Sequence, residues 1–229
     1  MEIETIENKL HYEFQNKDLL KTALTHSSYC REHGIPHGRC NERLEFLGDA
    51  YLDAVVSAYL YSHMPQVAEG NLTKLRAQVV CEQSLAELGN RLGIGALLFM
   101  GNGESRNGGR HRSSIIADAV EAVIGAIFLD GGYEAVQGFV LREFSDTIRK
   151  AKEGKLFSDY KTQVQEILQK DGTAPVIRYV LDRTEGPDHD KVFYVHLCCN
   201  DRILGKGSGH SKKEAEQNAA RNTLDGGLI

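Results

Sequence analysis

The stretch Asn41-Glu42-Arg43-Leu44-Glu45-Phe46-Leu47-Gly48-Asp49 reads as the opening of a helix. On that helix Glu42, Glu45 and Asp49 stand at i, i+3 and i+7, so all three carboxylates project from one face. Leu44, Phe46 and Leu47 are apolar and are expected to bury the flanking faces. A surface helix ordinarily mixes signs or pairs Glu with Lys four residues on. Like charges along one stripe instead repel by a few tenths of a kcal/mol per close pair unless a cation offsets them. A hard divalent metal is the cation this pattern suggests.

Outward from that segment, helical spacing predicts an all-α bundle with helices over 5–10, 17–25, 42–62, 69–81, 81–92, 115–129 and 133–149. Gly93-Ile94-Gly95, the loop 101–112 and Asp130-Gly131-Gly132 punctuate them. Residues 151–158 are polar and glycine-containing, the best candidate for a linker between a helical domain at 1–150 and a second domain at 159–229. In the second part, 160–169 looks helical, while 176–181, 192–199 and 202–207 look like strands. The last two are joined by Asn200-Asp201 as a tight hairpin turn. Ser211 followed by Glu214 is a capping box that opens a helix through Leu224. The fold class is therefore α+β overall, a helical domain followed by an α-β-β-β-α unit.

The chain has 229 residues, 41% of them hydrophobic and 26% charged, within the ordinary range for a water-soluble globular protein. No apolar run approaches the ~18 residues that span a bilayer. Met1-Glu2-Ile3-Glu4 lacks the basic start of a secretory signal, so no membrane partner and a cytoplasmic location are expected. Five cysteines, an odd number with Cys198 and Cys199 adjacent, do not suggest a disulfide framework. Net charge is -5, with 17 basic and 21 acidic residues over 1–157 and 10 and 11 over 158–229. If nucleic acid binds, the positive charge must be local.

A second acidic pair lies in 115–129, an apolar segment except for Asp118, Glu121 and the flanking turn. Burying an ionised carboxylate without a partner costs several kcal/mol. No Lys or Arg occurs between Ser113 and Gly132, so a local ion pair is unavailable. Helix dipoles account for part of the pattern. If Asn41 and Ser114 are N-caps, then Glu42, Glu45 and Asp118 lie in or near first turns. Asp49 and Glu121 have no such explanation. Together Glu45, Asp49, Asp118 and Glu121 make an all-oxygen donor set of the kind Mg²⁺ prefers, with Mn²⁺ as a substitute. The chemistry such a set implies is metal-assisted phosphodiester hydrolysis.

Residues 41–49 resemble the signature of ribonuclease III enzymes. Thr25-His26-Ser27-Ser28-Tyr29, Glu69-Gly70-Asn71-Leu72-Thr73-Lys74-Leu75-Arg76-Ala77 and Ile116-Ala117-Asp118-Ala119-Val120-Glu121-Ala122 resemble further blocks of that family in the same order. The resemblance covers essentially the whole chain. It implies that Glu45, Asp49, Asp118 and Glu121 hold magnesium, with Asp49 and Glu121 most directly catalytic. It implies supporting roles for Glu69 and for Glu42, the latter near the dimer and substrate. The family's functional unit is a homodimer, in which Phe46 packs into the partner subunit. The implied activity is endonucleolytic cutting of double-stranded RNA to 5′-phosphate and 3′-hydroxyl ends, in rRNA and mRNA processing. The rivals are a non-catalytic RNA-binding protein that keeps the fold, and a metallonuclease for DNA or single strands.

In the second unit, Lys212 and Lys213 occupy the first turn of the last helix, where cations oppose the macrodipole. That placement makes sense if an anion sits on the free backbone N–H groups there. The order α-β-β-β-α, with 207–220 in its sequence, resembles a double-stranded RNA-binding domain, a module that reads A-form shape. By resemblance Gln165, Glu166 and His189 contact minor grooves, while Lys212 and Lys213 grip phosphates. Asp188 and Asp190 flank His189 and should weaken binding there.

Three other features carry less. Cys30, His33, His37 and Cys40 have a spacing that could suit zinc, but they lie in a connection between helices. The segment 101–112 is glycine-rich without a Walker pattern and is read as a mobile loop, with Arg106, Arg110 and Arg112 near substrate. His26, between helices, is read as a hydrogen-bonded structural histidine.

Overall fold

The computed structural model describes residues 2–154, 156, 160–170, 175–186, 191–200 and 202–227. They form two compact units, Met1–Leu156 and Phe157–Ile229. The first contains helices α1 (Glu2–Leu10), α2 (Lys17–Ala23), α3 (Ser27–Glu32), α4 (Glu42–His63), α5 (Glu69–Val79), α6 (Glu82–Leu92), α7 (Ile94–Leu97), α8 (Asn102–Arg106), α9 (Ser113–Glu143) and α10 (Ser145–Lys152). Short 3₁₀ turns occur at His37–Arg39 and Gly109–His111. The helix α9 is apolar on nearly every face, and such a helix must lie inside. It packs against α2, α4 and α6, with Ala119, Val120, Ala122, Ile124, Ala126 and Ile127 fully buried.

The crossing of α4 and α9 is a contact of backbone on backbone. A Cβ at Gly48 would stand 1.8 Å from the carbonyl oxygen of Glu121 and 2.9 Å from the amide nitrogen of Gly125. A Cβ at Gly125 would stand 2.2 Å from the carbonyl oxygen of Leu44. Only glycine at both positions lets the helices approach this closely. The acids around Gly48 and the acids before Gly125 are thereby carried to the same place.

Several expectations are corrected. Asn41 stands at the N-cap position of α4 but does not cap it with its side chain: its φ of -69° and ψ of -21° are helical and the side chain makes no cap bond. It is buried, and its N–H donates to the carbonyl of Thr25 at 2.8 Å, tying the start of α4 to the segment before α3. Nor does Ser114 cap α9, which begins at Ser113 after Arg112. The break at 130–132 is a kink rather than an end: Gly132 takes φ 75° and the helix continues to Glu143. Asp130 holds the other side of that bend, accepting from Tyr12 Oη and from the N–H groups of Gln15 and Asn16. Residues 133–149 are two helices, divided at Phe144. The polar stretch from 151 begins as the end of α10, with Ala151 and Leu156 buried. Phe46 does not bury a flank of α4 but is 80% exposed.

The segment 101–112 is folded rather than loose. Glu32 accepts from the Asn102 N–H at 2.6 Å, and Arg112 pairs with Glu104 at 2.7 Å. Arg110 donates to the carbonyls of Gly95 and Ala96, so its guanidinium serves the fold.

The second unit runs α11 (Tyr160–Gln169), β1 (Ile177–Glu185), β2 (Val192–Cys199), β3 (Arg202–Gly209) and α12 (Lys212–Asp225), with the strands antiparallel in the order β1-β2-β3. β1 outruns the predicted 176–181 by continuing past a bulge between Leu181 and Arg183. The added residues are polar and exposed, which hid them from a hydrophobic pattern. Val164, Val195, Leu197, Leu204, Ala215, Ala219 and Ala220 form the core. The helix α12 lies directly on β3, because a Cβ at Gly207 would meet the Ala219 nitrogen at 2.1 Å. All five cysteines are free. No helix among the described residues is long and apolar enough to cross a membrane.

Overpacking a tight contact typically costs 1–3 kcal/mol. Gly48→Ala, which places its methyl on backbone rather than on a side chain that can rotate away, is expected to lose about 3 kcal/mol. Gly70→Ala, with nothing within 4 Å of its Cβ position, is expected to lose none. Urea unfolding of the two variants measures the difference.

Candidate metal centre

Glu45 and Asp49 leave α4 on either side of the Gly48 contact, and Glu121 and Asp118 leave α9 about one and two turns before Gly125. Carboxylate oxygens of Glu45, Asp118 and Glu121 all lie within 4.8 Å of one another. No lysine or arginine among the described residues forms an ion pair with any of the three. Each is partly buried. The electrostatic consequence is that the acids push one another toward the neutral form.

Glu121 shows this most strongly. Burial raises its carboxyl first, then Asp49, Glu45, Asp118 and Asp53, to about 8. Glu45 is raised by burial and by Asp118, Glu42 and Asp49. Asp118 is raised by burial and by Glu82, with His26 opposing. Three raised carboxyls within reach of a single ion, with oxygen as the donor in every case, fit a hard divalent cation.

The predicted residues are distributed unevenly around this trio. Asp49 is exposed and stands outside the group of three, although it acts on both Glu45 and Glu121. Glu42 is exposed at the first turn of α4 and acts on Glu45 and His26. Glu69 is not brought into the group; it is exposed at the start of α5 and accepts from Thr73 Oγ1 at 2.9 Å.

Two nearby acids were missed from the sequence. Asp53 continues the α4 stripe at i+4 from Asp49, so following the period one turn further would have found it. Arg76 lies 3.8 Å from it and also donates to Ser57 Oγ. Glu82 opens α6 and has the appearance of an ordinary first-turn acid, so no signal in the chain marks it.

Of the four residues whose spacing suggested zinc, the side chain of His37 lies outside the described residues, and the other three form no metal-binding group among the described residues. The thiols of Cys30 and Cys40 are buried, whereas His33 is exposed, with its ring stacked on Tyr29 at 4.0 Å.

In the second unit Gln165 and Glu166 lie on the solvent face of α11, opposite Val164 in the core. Ser211 caps α12, accepting from the Glu214 N–H at 3.1 Å. Glu214 reaches back past the cap residue to accept from the His210 N–H at 2.8 Å. Lys212 and Lys213 are exposed in that first turn. His189 lies outside the described residues, as do Asp188 and Asp190.

Residues 16–148 match a family model described as Ribonuclease-III-like, and residues 160–225 match the double-stranded RNA binding motif. The chain is 50% identical over 224 residues to Ribonuclease 3 of Clostridium acetobutylicum, covering 98% of this chain and 96% of that protein. It is 51% identical over 216 residues to Ribonuclease 3 of Symbiobacterium thermophilum, covering 94% and 90%. Among solved structures, the nuclease domain of ribonuclease III from Campylobacter jejuni aligns with a TM-score of 0.59 at 46% identity, over 63% of this chain and 96% of that one. A helical unit built around an acid cluster and a three-stranded unit with an open basic helix start thus have their counterparts in known proteins: this chain belongs to the ribonuclease III family.

Proposed function

We propose that the chain is a divalent-metal-dependent endoribonuclease that hydrolyses phosphodiester bonds of double-stranded RNA, leaving 5′-phosphate and 3′-hydroxyl ends. The observation that carries this reading is the cluster of Glu45, Asp118 and Glu121, whose oxygens converge with no lysine or arginine paired to them among the described residues. A carboxyl with a pKa of about 8 in a cytoplasm-like medium is a poor resting state for a structural acid and a good one for a metal ligand. Mg²⁺ suits the donor set, and Mn²⁺ can replace it. The cation, when bound, supplies Lewis-acid stabilisation of the charge that builds on the phosphoryl group and activates water for attack.

Within this scheme Glu45, Asp49, Asp118 and Glu121 hold the metal, and Asp49 and Glu121 lie nearest the reacting atoms. Glu42 and Glu69 support the site from outside the trio. In the second unit Gln165, Glu166 and His189 meet minor grooves, and Lys212 and Lys213 hold phosphates at the α12 N-terminus, where backbone N–H groups add their own partial charge. Family membership favours RNA processing of rRNA and mRNA as the setting. A non-catalytic binding protein would have no need of all four carboxylates, which are intact here.

Pairing of two copies follows from Phe46. The side chain is 80% exposed and borders an open hollow of about 630 Å³ lined by Leu19, Thr22, Leu44, Leu47 and Leu129, among others. A phenylalanine left in water on a helix that carries an active-site acid on each side invites a second copy, with Phe46 of one entering the hollow of the other. The Campylobacter jejuni nuclease domain has a region involved in dimer formation, which supports that arrangement.

Glu121→Gln keeps the size and removes the charge, and is expected to lower duplex-RNA cleavage by at least 10³-fold, the scale of losing a catalytic electrostatic group, while binding of the same duplex stays measurable. Cleavage unchanged in that variant refutes the assignment.

The raised carboxyl also fixes a pH dependence. At pH 7 Glu121 is mainly protonated without metal, so cation binding should release close to one proton, and affinity should climb as pH rises toward about 8. Without metal the sign for stability is the reverse. The group's contribution is complete below the ordinary carboxyl value of about 4.5 and fades as pH rises through about 8. Titration calorimetry in buffers of different ionisation enthalpy counts the protons, and chelator-treated melting curves follow the stability.

Phe46→Glu is expected to give a monomer by sedimentation with strongly reduced cleavage but retained Mg²⁺ binding. A dimer in that variant would contradict the pairing surface.

A further inference from the structure

The two ring nitrogens of His26 have different surroundings. His26 is the N-cap of α3, and its Nδ1 accepts the Ser28 N–H at 3.2 Å while lying 2.8 Å from Ser28 Oγ. Ser28 Oγ itself accepts from the Gly101 N–H at 3.0 Å, which leaves its own hydrogen to point at Nδ1. A nitrogen facing an N–H and an O–H keeps its lone pair, so the neutral ring carries its proton on Nε2. The structural reading of this histidine therefore explains one edge of the ring only.

The backbone fixes which elements the residue stands beside. His26 N–H donates to the Phe99 carbonyl at 2.9 Å, and the Thr25 carbonyl accepts from Asn41 at 2.8 Å. His26 is thus held beside the first turn of α4, which carries Glu42 and Glu45. Burial keeps the ring below the usual imidazole range, and Glu104, Arg31, Asp118 and Glu42 all act on it. Nε2 lies across the ring from the α3 N-terminus and makes no hydrogen bond with any described residue. A protonated ring nitrogen cannot ligate a cation. What it can do is donate to an oxygen, and the oxygens a nuclease site brings in are those of the RNA backbone.

We propose that His26 is a substrate-binding residue of the nuclease unit, donating Nε2–H to a backbone oxygen of the RNA held at the acid cluster. The inference rests on the proposed function and adds a neutral donor to a site otherwise made of acids. Ser28 is then the positioning residue, since it fixes which nitrogen carries the proton.

The test uses the full chain with His26→Phe and His26→Gln, the second retaining a donor at similar reach. Three quantities are read: kcat/KM on duplex RNA with Mg²⁺, Mg²⁺ affinity by calorimetry without RNA, and the melting midpoint. His26→Phe is expected to lose roughly ten- to hundredfold in kcat/KM with Mg²⁺ affinity unchanged, and His26→Gln to recover most of that loss. Both variants lose the Nδ1 cap of α3 and are expected to melt lower by similar amounts, so a common melting shift does not account for a difference in kcat/KM between them. A duplex carrying 2′-deoxy sugars beside the cleavage site separates the two acceptor oxygens. If the Phe variant suffers no further loss on it, the acceptor is a 2′-hydroxyl; if the losses multiply, it is a phosphate oxygen. Parent-level kcat/KM in His26→Phe overturns the proposal. So does equal damage in both variants together with weakened Mg²⁺ binding, which would make the role structural. A parent chain that fails to cut duplex RNA would instead refute the proposed function itself.

Discussion

Contact between the backbones of α4 and α9 at Gly48 and Gly125 governs the nuclease unit. Helices that meet through ordinary side chains stand 8–10 Å apart. With a glycine on each side, the Glu121 carbonyl lies where a Cβ of residue 48 would be. That closeness has two effects. It lets the most apolar helix of the chain serve as the centre of the bundle, and it carries Glu45 to Asp118 and Glu121, seventy-odd positions away in sequence. The core and the acid cluster are consequences of one crossing, so any change that separates the helices disturbs both.

The cluster works against the fold that holds it. Each of its three carboxyls is raised by burial and by its neighbours. A chain selected for stability alone would replace one with an amide or provide an arginine. It does neither at the trio, although it does so elsewhere. Glu7 is buried but bonded to Lys17 and to the Phe14 N–H, and Glu143 is buried against Arg91 and Arg142. Asp53, one turn beyond Asp49, has Arg76 near it. The contrast sets the trio apart: its carboxyls are drawn together with no lysine or arginine paired to them among the described residues, the kind of local conflict that marks a candidate site.

Much of this was legible from the residues, and the failures have physical causes. The acidic stripe and the second acidic pair could be seen because helical spacing converts position into direction. The helix and strand order of the second unit followed from alternation and from the Ser211 capping box. What could not be seen were features set by tertiary contacts. Asn41 has the chemistry of a cap, but burial beside Thr25 gives its backbone a different partner. Gly132 looks like a terminator, yet Asp130 fastens the bend so that α9 resumes after it. The glycines of 101–109 suggest looseness, whereas Glu32 from α3, the Glu104–Arg112 pair and the bonds of Arg110 to Gly95 and Ala96 anchor the segment. Glu82 acts on Asp118 only because α6 packs on α9, and no local pattern could show that.

The nine-residue segment at the start of α4 is contiguous because a single helix surface is shared among three tasks. Leu44 and Gly48 face inward and set the distance to α9. Glu45 and Asp49 follow each of them by one position and so lie along the adjoining edge, where the acids of α9 arrive. Phe46 is one position further round and faces water. A rotation of about 100° per residue therefore places core, acid cluster and exposed aromatic side by side within one turn and a half. Moving any one of these residues to another helix would uncouple the spacing of the acids from the packing that fixes it. Insertion of a single residue between Glu45 and Gly48 would turn Gly48 and Asp49 by about 100° away from Leu44 and Glu45, which is why the pattern must be read as one unit rather than as separate sites.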